Sequence, residues 1–183
     1  MGMFLIIIVV LAVAAMYFYN RLVSLKNKVE ESWSGIDVQL KRRYDLIPNL
    51  VNTVKGYASH ESETLQRVIE ARNQAMSISG NDPAAKGAAE ASLAGSLKSV
   101  FALAESYPDL KANTSFVELQ RTLTEIEENV SNARRYYNAI VRDNNTAVEA
   151  FPSNLFANAF NFGKFEYFEL DNVGERSNPE VKF

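Results

Sequence analysis

The chain contains no cysteine, one histidine and one tryptophan in 183 residues. Without cysteine there is no disulfide scaffold, no thiol nucleophile, no lipidated cysteine and no thiolate zinc site. A single histidine excludes a two-histidine metal face and the paired Glu-x-x-His motifs of a di-iron bundle. Positive charge is not in excess either. The 19 basic and 22 acidic side chains leave a net charge of −3, which gives no electrostatic footprint for nucleic acid. Glycine (8) and proline (5) are sparse, and neither a glycine-rich phosphate loop nor strand-like alternation occurs before residue 160.

What the chain does have is one long hydrophobic run. Residues 1–20 carry no charged side chain, and Gly2 to Tyr19 is almost entirely apolar. This is long enough to cross a hydrocarbon layer of roughly 30 Å as a helix. Tyr17 and Tyr19 stand where an interfacial aromatic belt belongs, and Arg21 follows at once. Ala12-Val13-Ala14 resembles a signal-peptide cleavage site. Against that reading, no Lys or Arg precedes the run, and its apolar character continues through Phe18, so a membrane anchor over residues 1–20 is the expectation. Arg21, Lys26 and Lys28 behind the span place the following domain in the cytoplasm and the short N-terminus outside, with an exported domain as the alternative.

Beyond the anchor the apolar positions keep helical spacing. Leu22, Leu25, Val29, Trp33, Ile36, Leu40, Tyr44, Ile47, Val51 and Val54 recur at three and four, so the membrane helix continues into the soluble part. Pro48 predicts a kink or a boundary within this run. Gly56 and Ser59 mark a turn, with Ser59 or Ser62 as the cap of a second helix carrying Leu65, Val68, Ile69, Arg72, Ala75 and Met76 and stopping near Gly80. Ser79-Gly80-Asn81-Asp82-Pro83 reads as a loop whose last two residues start an alanine-rich third helix, ended by Tyr107-Pro108-Asp109. Phe116, Leu119, Leu123, Ile126, Val130, Ala133, Tyr137 and Ile140 form a heptad seam in a fourth helix that runs to about Ala150. The expected fold is all-α: a transmembrane helix continuing into an antiparallel bundle of about four helices, two of them long, over residues 21–150.

Residues 151–183 form an aromatic-rich C-terminal tail. Phe156, Phe160, Phe162, Phe165, Tyr167 and Phe168 either fold back and staple the bundle end or form an exposed segment for membrane or partner contact. From Asp171 onward the composition reads as a mobile end.

The chemistry-bearing residues are few. His60-Glu61 begins like a zinc-protease motif, but Thr64 stands where the second histidine belongs, so a turn and helix cap is the expectation. Lys41-Arg42-Arg43 is a short basic cluster that reads as a solvated face, with Asp37 and Asp45 as i,i+4 ion-pair partners of Lys41. Trp33 lies on the apolar stripe and is expected in the core. No catalytic, cofactor-binding or metal site is expected, and the partners are membrane lipid through residues 2–19, a second copy, or an unidentified protein.

Several words of the sequence resemble the signature of the bacterial LemA family. They are Trp33 to Val51, including Leu46-Ile47-Pro48-Asn49-Leu50; Lys55-Gly56-Tyr57 with His60-Glu61; Tyr107-Pro108-Asp109-Leu110-Lys111-Ala112-Asn113; Ala133-Arg134-Arg135-Tyr136-Tyr137-Asn138; and Phe151-Pro152. The resemblance implies a single-pass bacterial membrane protein with a helical-bundle domain and the N-terminus outside the cell. It implies no enzymatic activity and supplies no catalytic residue. The expected function is a non-enzymatic interaction or scaffold protein of the bacterial envelope at the inner membrane. The alternative is an accessory subunit of an envelope machine, such as a membrane peptidase or transport system, acting through Tyr107–Asn113 or the tail.

Overall fold

The computed structural model describes residues 2–78 and 82–169, and among these there is no strand. Ser79 to Asn81 and the end from Asp171 onward lie outside the described residues. Six helices follow one another: α1 (Gly2–Lys55), α2 (Ser62–Ser77), α3 (Pro83–Ala104), α4 (Pro108–Lys111), α5 (Thr114–Glu149) and α6 (Ser153–Ala159). The two short helices, α4 and α6, occupy the places read from sequence as a helix end and the start of the tail. They fall into two compact units, residues 2–37 with 131–167 and residues 38–130 with 168–169, and both α1 and α5 contribute to each unit.

In the first unit the start of α1 is long and apolar enough to cross a membrane, and nothing in that stretch is buried. Beyond it α1 and α5 run antiparallel. Leu22 packs with Ala147 and with Ala157 of α6, and Trp33 meets Tyr137 edge-on at 5.2 Å. The seam of α5 continues past Ile140 through the buried Val141, Asn144 and Ala147. Those asparagines hold the tail. Asn145 Nδ2 donates to the Phe165 carbonyl and its Oδ1 accepts from the Phe165 N–H, both at 2.9 Å, so one amide satisfies both backbone groups of one residue. Asn144 donates to the Gly163 carbonyl at 3.3 Å and the Tyr137 hydroxyl to the Glu166 carbonyl at 3.0 Å. Burial first, and the Glu166 carboxylate second, push the Tyr137 phenol up to about 12. The tail therefore does fold back, but polar stitching along α5 holds it and several of its aromatics remain exposed.

The second unit is a bundle of α1, α2, α3 and α5. Asp82 caps α3 by accepting the Ala85 N–H at 2.9 Å, and Pro83 occupies the first helical position, as the sequence implies. The start of α2 differs from expectation. Glu61, not Ser59 or Ser62, holds the N-cap position and makes no side-chain cap bond. The buried seam residues Phe116, Leu123, Ile126 and Val130 of α5 turn inward, so this seam is spent within the chain.

Pro48 corrects the boundary half of the expectation. It neither ends α1 nor marks a boundary; the helix runs through it to Lys55. A proline has no N–H, which leaves the carbonyl four residues back without its helical donor. That carbonyl belongs to Tyr44, and Arg72 Nε of α2 donates to it at 2.8 Å. The side chain of one helix thus fills the open rung of another. Arg72→Met is expected to cost about 1–3 kcal/mol by orphaning this carbonyl. Pro48→Ala, which restores the helical donor, is expected to remove most of that cost. Urea denaturation of the single and double variants measures the coupling.

Candidate functional site

The buried face of α1 in the second unit carries a charge. Leu40, Arg43, Ile47, Leu50 and Val54 keep three-four spacing, and Arg43 is only 4% exposed. The solvated-face reading therefore fails at Arg43, while Lys41 and Arg42 are exposed as expected. The backbone turns Arg43 inward because it falls within the apolar stripe.

Its partners come from α3 and α5. Arg43 Nη1 meets Glu90 Oε2 at 3.1 Å, and Nη2 meets the half-exposed Glu127 at 3.0 Å. The Tyr44 hydroxyl donates to the other oxygen of Glu90. Lys86, one turn before Glu90, is also buried. Its Nζ donates to the Ala75 and Ile78 carbonyls at 3.0 and 3.4 Å, closing the C-terminal end of α2, and lies 5.5 Å above the Tyr44 ring. Arg43, Lys86 and Glu90 thus share one interior, with the half-exposed Glu127 reaching in from its edge. Burial raises the Glu90 carboxyl above its ordinary 4.5; the Tyr44 hydrogen bond and the charges of Arg43 and Lys86 oppose that rise, and Glu127 adds to it.

At the end of this unit two further signature words meet. The Tyr107 hydroxyl donates to Glu61 Oε1 at 3.2 Å, and Asn113 Nδ2 donates to the Tyr57 hydroxyl at 2.9 Å. Asn113 Oδ1 accepts the Phe116 N–H at 2.9 Å and so caps the start of α5. His60 is exposed in the turn between α1 and α2, and no group of three or more metal-ligating side chains occurs among the described residues. Trp33 belongs to the core of the first unit, as its place on the stripe implies.

Between α1 and α5 of the second unit lies an open groove of about 510 Å³, lined by Leu46, Asn49, Asn52 and Thr53 of α1 and by Ser115, Glu118, Leu119 and Thr122 of α5. The Leu46–Leu50 word is divided by the helix. Ile47 and Leu50 enter the core, Pro48 opens the rung that Arg72 fills, and Leu46 and Asn49 face the groove. The groove offers amides, hydroxyls and two leucines around one carboxylate. Such a surface can hydrogen-bond a peptide backbone and cover small apolar side chains, and it lacks the acid–base or nucleophile–base pairing that catalysis requires.

Sequence reasoning missed Arg43, Lys86 and Glu90. The signal was present as register, since Lys86 and Glu90 continue the buried stripe of Leu93, Leu97, Val100 and Ala104. Removing one member of a buried pair strands the other, so Arg43→Met is expected to cost about 3–5 kcal/mol. For a carboxyl raised in the folded state, stability is fully present below the unfolded value, ordinarily 4.5, and is lost as pH rises through the folded one. In Arg43→Met that fall is expected to be steeper than in the native chain, because one of the charges opposing the rise is gone. Denaturation midpoints followed from acid to neutral pH measure both effects.

Protein LemA of Metamycoplasma hominis is 26% identical over 180 residues, covering 93% of this chain and 81% of that protein. Magnetosome protein MamQ 2 of Paramagnetospirillum magneticum is 22% identical over 181 residues, covering 86% of this chain. Magnetosome protein MamQ of Magnetospirillum gryphiswaldense is 23% identical over a similar stretch. The chain spans just under two thirds of the MamQ proteins, at 66%. The LemA family profile matches residues 32–183, which takes in the Arg43 network, the groove and the tail. This chain belongs to the LemA family.

Proposed function

We propose that the protein is a non-enzymatic, membrane-anchored interaction or scaffold protein of the bacterial envelope, and that the α1–α5 groove of its second unit takes a segment of a partner protein. The groove itself carries the reading. It is open and lined by amides, hydroxyls and two leucines around the single carboxylate of Glu118. Tyr107 and Asn113, the other contact surface considered for an accessory subunit, spend their polar atoms on Glu61, Tyr57 and the α5 cap. Most of the heptad seam, from Phe116 through Tyr137, is buried within the chain.

A photo-crosslinking residue at Thr122 in intact membranes tests this reading. A discrete adduct is expected that fades when Asn49 and Asn52 are both changed to alanine, with thermal stability retained. A control probe at the exposed Glu70 is expected to give none. An adduct indifferent to the asparagine changes, or none at all, overturns the proposal. An adduct of twice the chain mass replaces the foreign partner with a second copy.

The basic residues behind the span, Arg21, Lys26 and Lys28, support a cytoplasmic bundle at the inner membrane. The cysteine-free chain allows a direct test with single cysteines at Met3 and at Ser59, which is exposed. An impermeant maleimide applied to intact cells is expected to label position 3 and spare position 59; the reverse pattern puts the bundle outside.

A further inference from the structure

Within the first unit, α6 packs against the last residues of the apolar stretch. Phe156 stacks on Phe18 with centroids 5.3 Å apart and planes at 16°. Phe160 and Phe162 meet Tyr19 edge-on at 4.9 and 5.8 Å. From Gly2 to Tyr19 the helix rises about 27 Å, close to one hydrocarbon thickness, so Phe18 and Tyr19 fall at the boundary between acyl chains and headgroups. Their contacts hold α6 at the same depth. Phe151 reaches it as well, since α5 runs antiparallel and extends past Ala147, the partner of Leu22, toward Phe18.

At that depth α6 and the residues on either side of it expose apolar side chains to their surroundings. Phe151 is 80% exposed, Leu155 58% and Phe160 54%. Residues 150–163 carry no charge at all, and the charges that bracket them, Glu149 and Lys164, are paired with each other at 2.6 Å. Backbone groups at both ends of α6 find partners within the chain, as a water-poor setting favours. Ser153 Oγ donates to the Ala147 and Ala150 carbonyls at the end of α5, at 2.6 and 2.9 Å. At the end of α6, Asn161 in the left-handed region (φ 57°) lets the Phe162 N–H reach the Ala157 carbonyl at 2.9 Å.

We infer that residues 151–162 form a second membrane contact, a collar around the exit of the span that sets Phe151, Leu155 and Phe160 into the lipid interface. The bilayer is the occupant because the patch is continuous with the span, uncharged and aromatic, which is how interfacial belts are built. This rests on the reading of residues 2–19 as the span, so the experiment checks the two separately.

The full chain carrying Trp33→Phe and a single new tryptophan, Phe160→Trp or Val10→Trp, is reconstituted in phosphatidylcholine vesicles brominated near either the headgroup end or the methyl end of the acyl chain. The tryptophan at position 10 is expected to be quenched by the deep bromines. The one at position 160 is expected to lose roughly half or more of its emission to the shallow bromines and less to the deep ones. Because Trp33→Phe touches the core, a second chain keeps Trp33 and carries Leu155→Cys with an environment-sensitive dye, expected to shift to the blue on vesicle addition. Quenching at 10 with neither quenching at 160 nor a shift at 155 overturns the collar and leaves the anchor standing. Shielding at 160 that follows protein density rather than bromination also overturns it, in favour of a second copy. No quenching at position 10 overturns both.

Discussion

A guanidinium buried among three helices is the constraint around which the second unit is arranged. Desolvating Arg43 is unfavourable unless carboxylates and hydroxyls meet it at fixed positions. Glu90 must sit opposite it on α3, Glu127 must reach in from α5, and Tyr44 must turn its hydroxyl to the second oxygen of Glu90. Sliding any of these helices by one residue, about 1.5 Å, breaks several of these contacts together. Apolar packing between alanine-rich helices tolerates such slippage far better. The ionic cluster therefore gives the bundle a single register where hydrophobic patterning alone would leave several.

Much of this architecture is legible in the sequence because helical period is a local property. The three-four spacing of α1 and α5, the Asp82-Pro83 start of α3 and the apolar run at the N-terminus each declare themselves within a few turns. What escaped were features that depend on a second helix. Nothing local says that Arg43 meets Glu90, 47 residues away, while Lys41 and Arg42 beside it face water. Pro48 signals a break until the distant Arg72 is known to fill the rung. Asn144 and Asn145 look like ordinary surface polar residues until the returning tail supplies backbone groups for them to hold. The groove was invisible for the same reason, since its two walls come from opposite ends of the chain's helical portion.

The signature words of the family divide by task. Trp33 and Tyr137 pack together in the first unit. Tyr57, Glu61, Tyr107 and Asn113 join the turns of the second unit through side-chain hydrogen bonds. Only Leu46 and Asn49 of the most specific word look outward, into the groove.

The rung at Tyr44 also bears on the order in which the molecule assembles. During synthesis α1 emerges complete before Arg72 exists, so its helix must first form with one carbonyl open to water. Docking of α2 then removes that water and adds a donor, which makes the middle of α1 most rigid only once its neighbour has arrived. Docking of α2 thus supplies, from a neighbouring helix, the one hydrogen bond that proline denies α1.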